Sequence, residues 1–262
     1  MKGEKIKILL VEDDALNYLD VQNFLEDEGY SVITFTGKEM IDNYNDAVAA
    51  CEEEIPHLAI LDIAIKGKKD GLDIAAYIRE NFYSPVIILS GKETEAYLRR
   101  ASIIGVDGYT AKVEKPHDLK QLHITIRMLL PFIENAAKKR EASAFLHVKD
   151  FTEKKTGDEF YIKKRFAWAD LKIVTTDRAP KNSIVLEMDY DHKYIHRSSL
   201  TEFCDMLPNH FIRVSNYETV NVVFFDGKGK ADWVYFIGNK KYEIAAAYRT
   251  DKTAAILKKY CP

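Results

Sequence analysis

The chain has 262 residues, 47% of them hydrophobic and 30% charged, which is enough apolar material for real cores and too much for disorder or a fibrous repeat. Its net charge of −3 excludes a strongly basic nucleic-acid binder as a whole molecule, but the charge is uneven: residues 1–148 carry −7 and residues 149–262 carry +4. No apolar run approaches the ~20 residues of a membrane span, the start lacks a secretory pattern, and Cys51, Cys204 and Cys261 form no CxxC pair, so a reducing cytoplasm without membrane association is expected.

The first half alternates two periods. Short β-rich runs stand at Ile6–Val11, Val32–Phe35, Leu58–Leu61, Val86–Leu89 and Tyr109–Ala111. Between them lie segments of helical spacing: Tyr18, Val21 and Leu25; Leu72, Ala75 and Ala76; then Leu119, Leu122, Ile126 and Leu129. Fivefold strand–helix alternation predicts a parallel sheet covered on both faces, and unbroken apolar runs such as Ile8-Leu9-Leu10-Val11 suit strands buried on both sides.

The chemistry follows each run. The first ends in Glu12-Asp13-Asp14, the third in Asp62, the fourth in Ser90 and the fifth in Lys112. In an open parallel sheet ligands bind beyond the carboxyl ends of the strands, so these groups are predicted to converge on one edge. Crowded carboxylates repel, a divalent cation relieves the repulsion, and an all-oxygen donor set suits Mg²⁺. Carboxylate, cation, ammonium and hydroxyl together can hold a phosphoryl group, and aspartate is a known phosphoryl acceptor. Asp14 is read as a helix cap and Glu52-Glu53-Glu54 as a solvated helix face.

Four stretches, in order, resemble the receiver domain of two-component response regulators: Ile8-Leu9-Leu10-Val11-Glu12-Asp13-Asp14, Leu61-Asp62 with Lys69-Asp70-Gly71, Pro85-Val86-Ile87-Ile88-Leu89-Ser90-Gly91, and Gly105-Val106-Asp107-Gly108-Tyr109-Thr110-Ala111-Lys112. The resemblance implies a flavodoxin-like five-stranded α/β domain over residues 1–130. It implies that Asp62 accepts phosphate from a sensor histidine kinase. Glu12, Asp13, the Asp62 side chain and the Ala64 main-chain carbonyl would hold Mg²⁺, Lys112 would neutralise phosphoryl charge, and Ser90 and Tyr109 would act as the switch pair. Lys115, before Pro116, is the rival lysine, and the Gly-x-x-Gly-Tyr-x-x-Lys spacing favours Lys112. Ala64 offers no donor to a hydrolytic water, so a long-lived phosphorylated state is expected.

Pro131 interrupts the fifth helical pattern. Residues 131–157 read as a helical extension and linker, with the domain boundary between about 131 and 158. Beyond it, short β-rich runs dominate: Phe160–Ile162, Leu171–Thr175, Ser183–Met188, Lys193–Ile195, Phe211–Val214, Val220–Phe225 and Trp233–Ile237. Two helices are predicted, about Leu200–Leu207 and about Arg249–Tyr260. Trp168 and Trp233 are read as core, and His192 and His196 are too isolated for a metal site.

This half, residues 158–262, resembles the LytTR-type DNA-binding domain. Tyr194-Ile195-His196-Arg197-Ser198-Ser199-Leu200 is followed by Met206-Leu207-Pro208, Phe211-Ile212-Arg213-Val214 and Val220-Asn221. The resemblance implies a mostly-β domain that binds promoter DNA. Asn216, Arg178, Lys181, Asn182, Arg213 and Arg249 are the candidate contacts. The arginine-bearing stretch the family carries before its last helix stands here as Ala245-Ala246-Ala247-Tyr248-Arg249. The multidomain chain is thus expected to regulate transcription, to turn over no substrate as an enzyme, and to form a homodimer when phosphorylated. The alternative is a phosphorylation-controlled protein-interaction module.

Overall fold

The computed structural model describes residues 5–35, 38, 40–91, 94–112, 119–153, 157 and 160–261. The chain divides into two compact units, Met1–Glu141 and Ala142–Pro262.

The first unit runs β1 (Lys7–Val11), α1 (Ala15–Asp27), β2 (Ser31–Val32), α2 (Tyr44–Glu53), β3 (Leu58–Leu61), α3 (Gly71–Asn81), β4 (Val86–Ser90), α4 (Glu95–Ile104), β5 (Gly108–Ala111) and α5 (Leu119–Glu141). The five strands form one sheet in the order β2-β1-β3-β4-β5, and every pairing is parallel. Strand order reverses on either side of β1 and β3, which opens a crevice at their carboxyl ends. All residues of β3 and β4 are buried, as a sheet covered on both faces requires. Ile8, Leu10, Ile60 and Ile87 of the sheet join Tyr18, Val21 and Leu25 of α1 and Leu122, Ile126, Leu129 and Ile133 of α5 in one core.

Two helical details depart from expectation. On α3, Leu72 and Ala75 are buried but Ala76 is exposed, and Ile74 and Ile78 complete the inward face. Pro131 does not end the fifth helix: α5 is one helix of 23 residues with Pro131 inside it. Proline removes one backbone N–H and crowds the carbonyl four residues back. Here Pro131 and Arg127 are both exposed, so water reaches the unmatched carbonyl, while Leu129, Ile133 and Ala136 keep the helix seated on its buried side.

The second unit begins at Ala142, within the range of about 131–158 expected for the boundary. Residues 143–150, expected within a helical extension and linker, form β6 (Ser143–Asp150), which pairs with β7 (Ile162–Ala167) from Ser143↔Ala167 to Val148↔Ile162. The lysine- and alanine-rich composition that suggested a helix belongs to the end of α5, and alternation begins only after it. The thread continues through β8 (Leu171–Thr175), β9 (Ile184–Met188), β10 (Lys193–His196), α6 (Leu200–Met206), β11 (Phe211–Arg213) and β12 (Glu218–Asn221). These strands form a seven-stranded antiparallel sheet in the order β11-β12-β8-β9-β10-β6-β7. A second sheet joins β13 (Gly227–Lys228), β14 (Val234–Ile237) and β15 (Lys240–Glu243), and α7 (Asp251–Tyr260) closes the unit. Residues 222–224, expected as strand, instead form a 3-10 turn: the Asn221 side chain, buried against Leu171, accepts from the Val223 N–H and bends the chain out of β12.

Two cores hold this unit. One gathers Trp168, Leu186, Leu200, Phe203 and Phe211, and the other Val220, Tyr235, Tyr242, Ile244 and Leu257. Trp168 is buried and Trp233 packs partly buried on the second core. Among the described residues no helix is long and apolar enough to cross a membrane.

Candidate functional site

The site lies where β1, β3, β4 and β5 end. Each strand is pinned to its neighbour, so the residue after each is carried to the same edge. Glu12 follows Val11, Asp62 follows Leu61, Ser90 closes β4, and Lys112 follows Ala111. The Asp62 N–H donates to the Val11 carbonyl at 2.9 Å and the Lys112 N–H to the Ser90 carbonyl at 3.2 Å, which continues the ladder into the site.

Glu12 and Asp62 are almost fully buried, at 2% and 4% exposure, and Ser90 is wholly buried. The Lys112 ammonium stands between the two carboxylates, 2.6 Å from Glu12 Oε2 and 2.7 Å from Asp62 Oδ2. Burial pushes the Glu12 carboxyl above its ordinary value, against the opposing pull of the Lys112 hydrogen bond and the Asp14 N–H. Burial also works against the Lys112 charge, but the hydrogen bonds to Asp62 and Glu12 outweigh it and hold its pKa above that of a free lysine. The Lys112 ammonium is therefore held clamped between the two carboxylates.

One lone pair is left over. Asp62 Oδ1 is buried and has no hydrogen-bond partner, an expensive state for a carboxylate oxygen. Glu12, Asp13 and Asp62 offer carboxylate oxygens that all lie within 4.8 Å of one another, with Asp13 the least buried of the three. An oxygen-only donor set around an unpartnered buried carboxylate oxygen fits a hard divalent cation such as Mg²⁺. Among the described residues this is the sole grouping of three or more possible metal ligands, and it excludes every histidine.

The loop after Asp62 is drawn tight against it. The Gly71 N–H donates to the Ile63 carbonyl at 3.1 Å, and a Cβ built on Gly71 would lie 1.8 Å from the Asp62 carbonyl oxygen. Glycine is obligatory there because two stretches of backbone touch. Asp70 caps α3 in a reciprocal box with Asp73, and Arg100 of α4 reaches both acids at 2.6 Å. Asp14 is the cap of α1, accepting from the Leu16 and Asn17 N–H groups, as its sequence position suggested. Tyr109 is half-buried on β5 and Ala64 lies in the loop after Asp62. The rival Lys115 lies outside the described residues.

In the second unit the expected DNA contacts fall into separate places. Arg178 is exposed, in a left-handed conformation (φ 58°), with Asp177 3.8 Å away. Lys181 and Asn182 line a shallow depression with Arg197, Ser198, Ser199 and Glu202. Arg213 and Asn216 meet elsewhere: the guanidinium donates to the Asn216 carbonyl at 2.9 Å, and the Tyr248 hydroxyl donates to Asn216 Oδ1 at 2.7 Å. Arg249 is exposed, with its Nε–H donating to the Ile244 carbonyl at 2.7 Å and Glu243 3.7 Å away. Sequence reasoning missed Tyr248 and Arg197 as neighbours of these candidates. The Tyr248–Asn216 pair is separated by 32 residues, and no local pattern announces it.

Residues 8–126 match the response regulator receiver domain family. Among characterised proteins, the transcriptional regulatory protein PdtaR of Mycobacterium tuberculosis is 28% identical over 139 residues, which cover 53% of this chain and 60% of that protein. The heme response regulator HssR of Staphylococcus epidermidis is 30% identical over 125 residues (48% and 51% of the two chains). The regulatory protein VanR of Enterococcus faecium is 35% identical over 114 residues (43% and 46%). The match thus spans about half the length of these relatives. Among solved structures, the signal receiver domain of a modulated diguanylate cyclase from Desulfovibrio desulfuricans G20 is 26% identical, with a TM-score of 0.44, covering 52% of this chain and 100% of that one. The strand ends that bring Glu12, Asp62, Ser90 and Lys112 to one edge all fall within the matched residues, and the N-terminal unit of this chain is a response regulator receiver domain.

Proposed function

We propose that this protein is a cytoplasmic transcription regulator switched by phosphorylation of Asp62, with a sensor histidine kinase as donor and promoter DNA as the target of its second unit. The single observation that supports the first part is the buried Asp62 carboxylate, clamped on one oxygen by Lys112 and unpartnered on the other. In the transfer, one Asp62 oxygen forms a bond to phosphorus as the phosphorus–nitrogen bond to the donor imidazole breaks, and that electron pair departs with the imidazole. Lys112 meets the charge on the phosphoryl oxygens. Glu12, Asp13, Asp62 and the Ala64 main-chain carbonyl would hold Mg²⁺, which when bound neutralises phosphoryl charge. Ser90 supplies a hydroxyl to the new phosphoryl group, and Tyr109 moves into the space it leaves. The receiver turns over no external substrate.

The test is intact-mass analysis after incubation with a small acyl phosphate donor and Mg²⁺. The expected result is one added phosphoryl group on the native protein and none on Asp62→Asn. A label retained by the variant refutes the assignment.

For the output, Arg178, Lys181 and Asn182 are exposed and near one another in sequence, and Arg213 with Asn216 offers a second polar patch. Phosphorylation is proposed to favour a homodimer, which joins two such readers on one DNA. Affinity for promoter fragments is then expected to rise on phosphorylation and to fall steeply with salt. A second reading, a protein-binding output, is favoured by the engagement of the Arg249 Nε–H with the Ile244 carbonyl and the occupation of Asn216 Oδ1 by Tyr248. DNA binding that stays weak and sequence-independent in the phosphorylated form, with a stable protein partner recovered instead, would select it.

A further inference from the structure

The helix α5 is apolar on both of its faces. Leu122, Ile126, Leu129 and Ile133 fill the core of the first unit. On the other side Ile124, Met128 and Phe132 stand in a row four residues apart, exposed to 50%, 71% and 53%. The face of a surface helix turned away from its core is normally polar, and apolar residues all round suit a helix covered on both sides. Pro131 adds a further exposed apolar surface to the row. One flank of the row carries Arg127 and Glu134, seven residues apart and so on the same edge of the helix. Both are exposed, and among the described residues neither is held in an ion pair. Thr125, on the opposite flank, turns toward Gly108 of β5, so the charged flank lies away from the strand that carries Tyr109.

The order of these charges selects the occupant. When two copies of one helix pack antiparallel about a twofold axis, each contact occurs twice, and a flank residue meets the flank residue one heptad away on the other copy. Placed so, Met128 of one copy lies beside Pro131 of the second, and Ile124 beside Asn135. Arg127 of each then faces Glu134 of the other, giving two opposite-charge contacts. A parallel pairing would instead set Arg127 beside the Phe132 flank and leave both charges unmatched. We propose that α5 is an interface between two copies of this chain, paired antiparallel through Ile124, Met128 and Phe132 with or without a phosphoryl group on Asp62. Such a dimer differs from the phosphorylation-dependent one proposed above: the row is exposed in the unphosphorylated chain, and phosphorylation would tighten an association already present. With three large apolar side chains from each copy and two rim ion pairs, the expected dissociation constant is on the order of 10 µM.

The experiment is analytical ultracentrifugation of the full-length protein, without phosphodonor, from about 1 to about 200 µM, a range that brackets the expected constant. A reversible monomer–dimer equilibrium is expected. Met128→Glu sets a carboxylate on each side of the axis and weakens the dimer about a hundredfold. Its thermal midpoint, measured at a concentration where both proteins are monomeric, stays at the native value because Met128 is exposed in the single chain. Arg127→Glu alone, or Glu134→Arg alone, creates two like-charge contacts and weakens the dimer about tenfold. The double variant Arg127→Glu with Glu134→Arg returns the affinity to within about threefold of native. Asp62→Asn dimerises as the native protein does, which keeps this result separate from the assignment of Asp62: a chain that takes no phosphoryl group and still forms the α5 dimer sinks that assignment alone. A native protein that stays monomeric over the whole range, a dimer untouched by Met128→Glu, or a double charge swap no tighter than the single ones overturns the proposal. The first of these outcomes leaves the row to a different protein or to another part of the same chain.

Discussion

Replacing Lys112 by methionine removes the ammonium while keeping most of the side-chain volume, and its effect is calculable from the geometry. Lys112 separates two carboxylates whose side chains are only 3% and 4% exposed. Without it, Glu12 and Asp62 face one another with carboxylate oxygens within 4.8 Å. At an effective dielectric of about 20, two like charges at that distance repel by about 3.5 kcal/mol, which corresponds to roughly a 300-fold change in proton affinity. The pair escapes by keeping a proton. Burial already raises the Glu12 carboxyl, and the hydrogen bond from Lys112 is the largest effect opposing that rise. The variant's folded state therefore holds a proton that the unfolded chain releases near the ordinary value of 4.5. Since the folded state binds more protons, stability is present below that pH and declines as pH rises through the elevated folded value. Urea unfolding midpoints are to be compared between native protein and Lys112→Met from about pH 4.5 to about pH 8. The expected gap is small at the acidic end and reaches about 3 kcal/mol at the alkaline end. Mg²⁺ added at the alkaline end is expected to restore part of the loss, because a cation again separates the carboxylates. A stability gap that does not change with pH, or no gap at all, refutes the account of the triad.

Other outcomes follow from single contacts. Gly71→Ala places a Cβ against the Asp62 carbonyl, so the loop must shift: a loss of about 1–3 kcal/mol and slower labelling of Asp62 by a small phosphodonor are expected, and labelling at the native rate would show that this close approach does not matter. Asn221→Ala leaves the Leu171 carbonyl and the Val223 N–H without their side-chain partner in a buried turn, and should cost about 2 kcal/mol by urea unfolding; a change within error would mean that water replaces the amide. Phe203→Ala empties a fully buried site in the first core of the second unit and should cost about 3–5 kcal/mol, read as a lowered thermal midpoint.

Most of the first unit was legible because its signals are local. A strand buried on both faces must be apolar throughout, so Leu58–Leu61 and Val86–Leu89 announce themselves and their ends point to Asp62 and Ser90. Pro131 misled, since proline marks a break only where the missing hydrogen bond has nowhere to go, and exposure on one side of α5 is a property of packing. The strand at 143–150 was hidden for a related reason. It directly follows helix-rich composition, and its partner, β7, begins only at Ile162.

The order of residue types along the chain alone determined the strand–helix alternation, the edge on which the acids, the hydroxyl and the lysine gather, and the change to antiparallel β structure in the second half, because each depends on periods of a few residues. Tertiary structure decided the rest. That Lys112 bridges Glu12 and Asp62 while Asp62 Oδ1 stays unpartnered, and that Tyr248 holds Asn216, are both consequences of bringing together residues tens of positions apart. Burial and charge pairing are set by what arrives on the other side of a group, and no neighbouring residue in the chain carries that information.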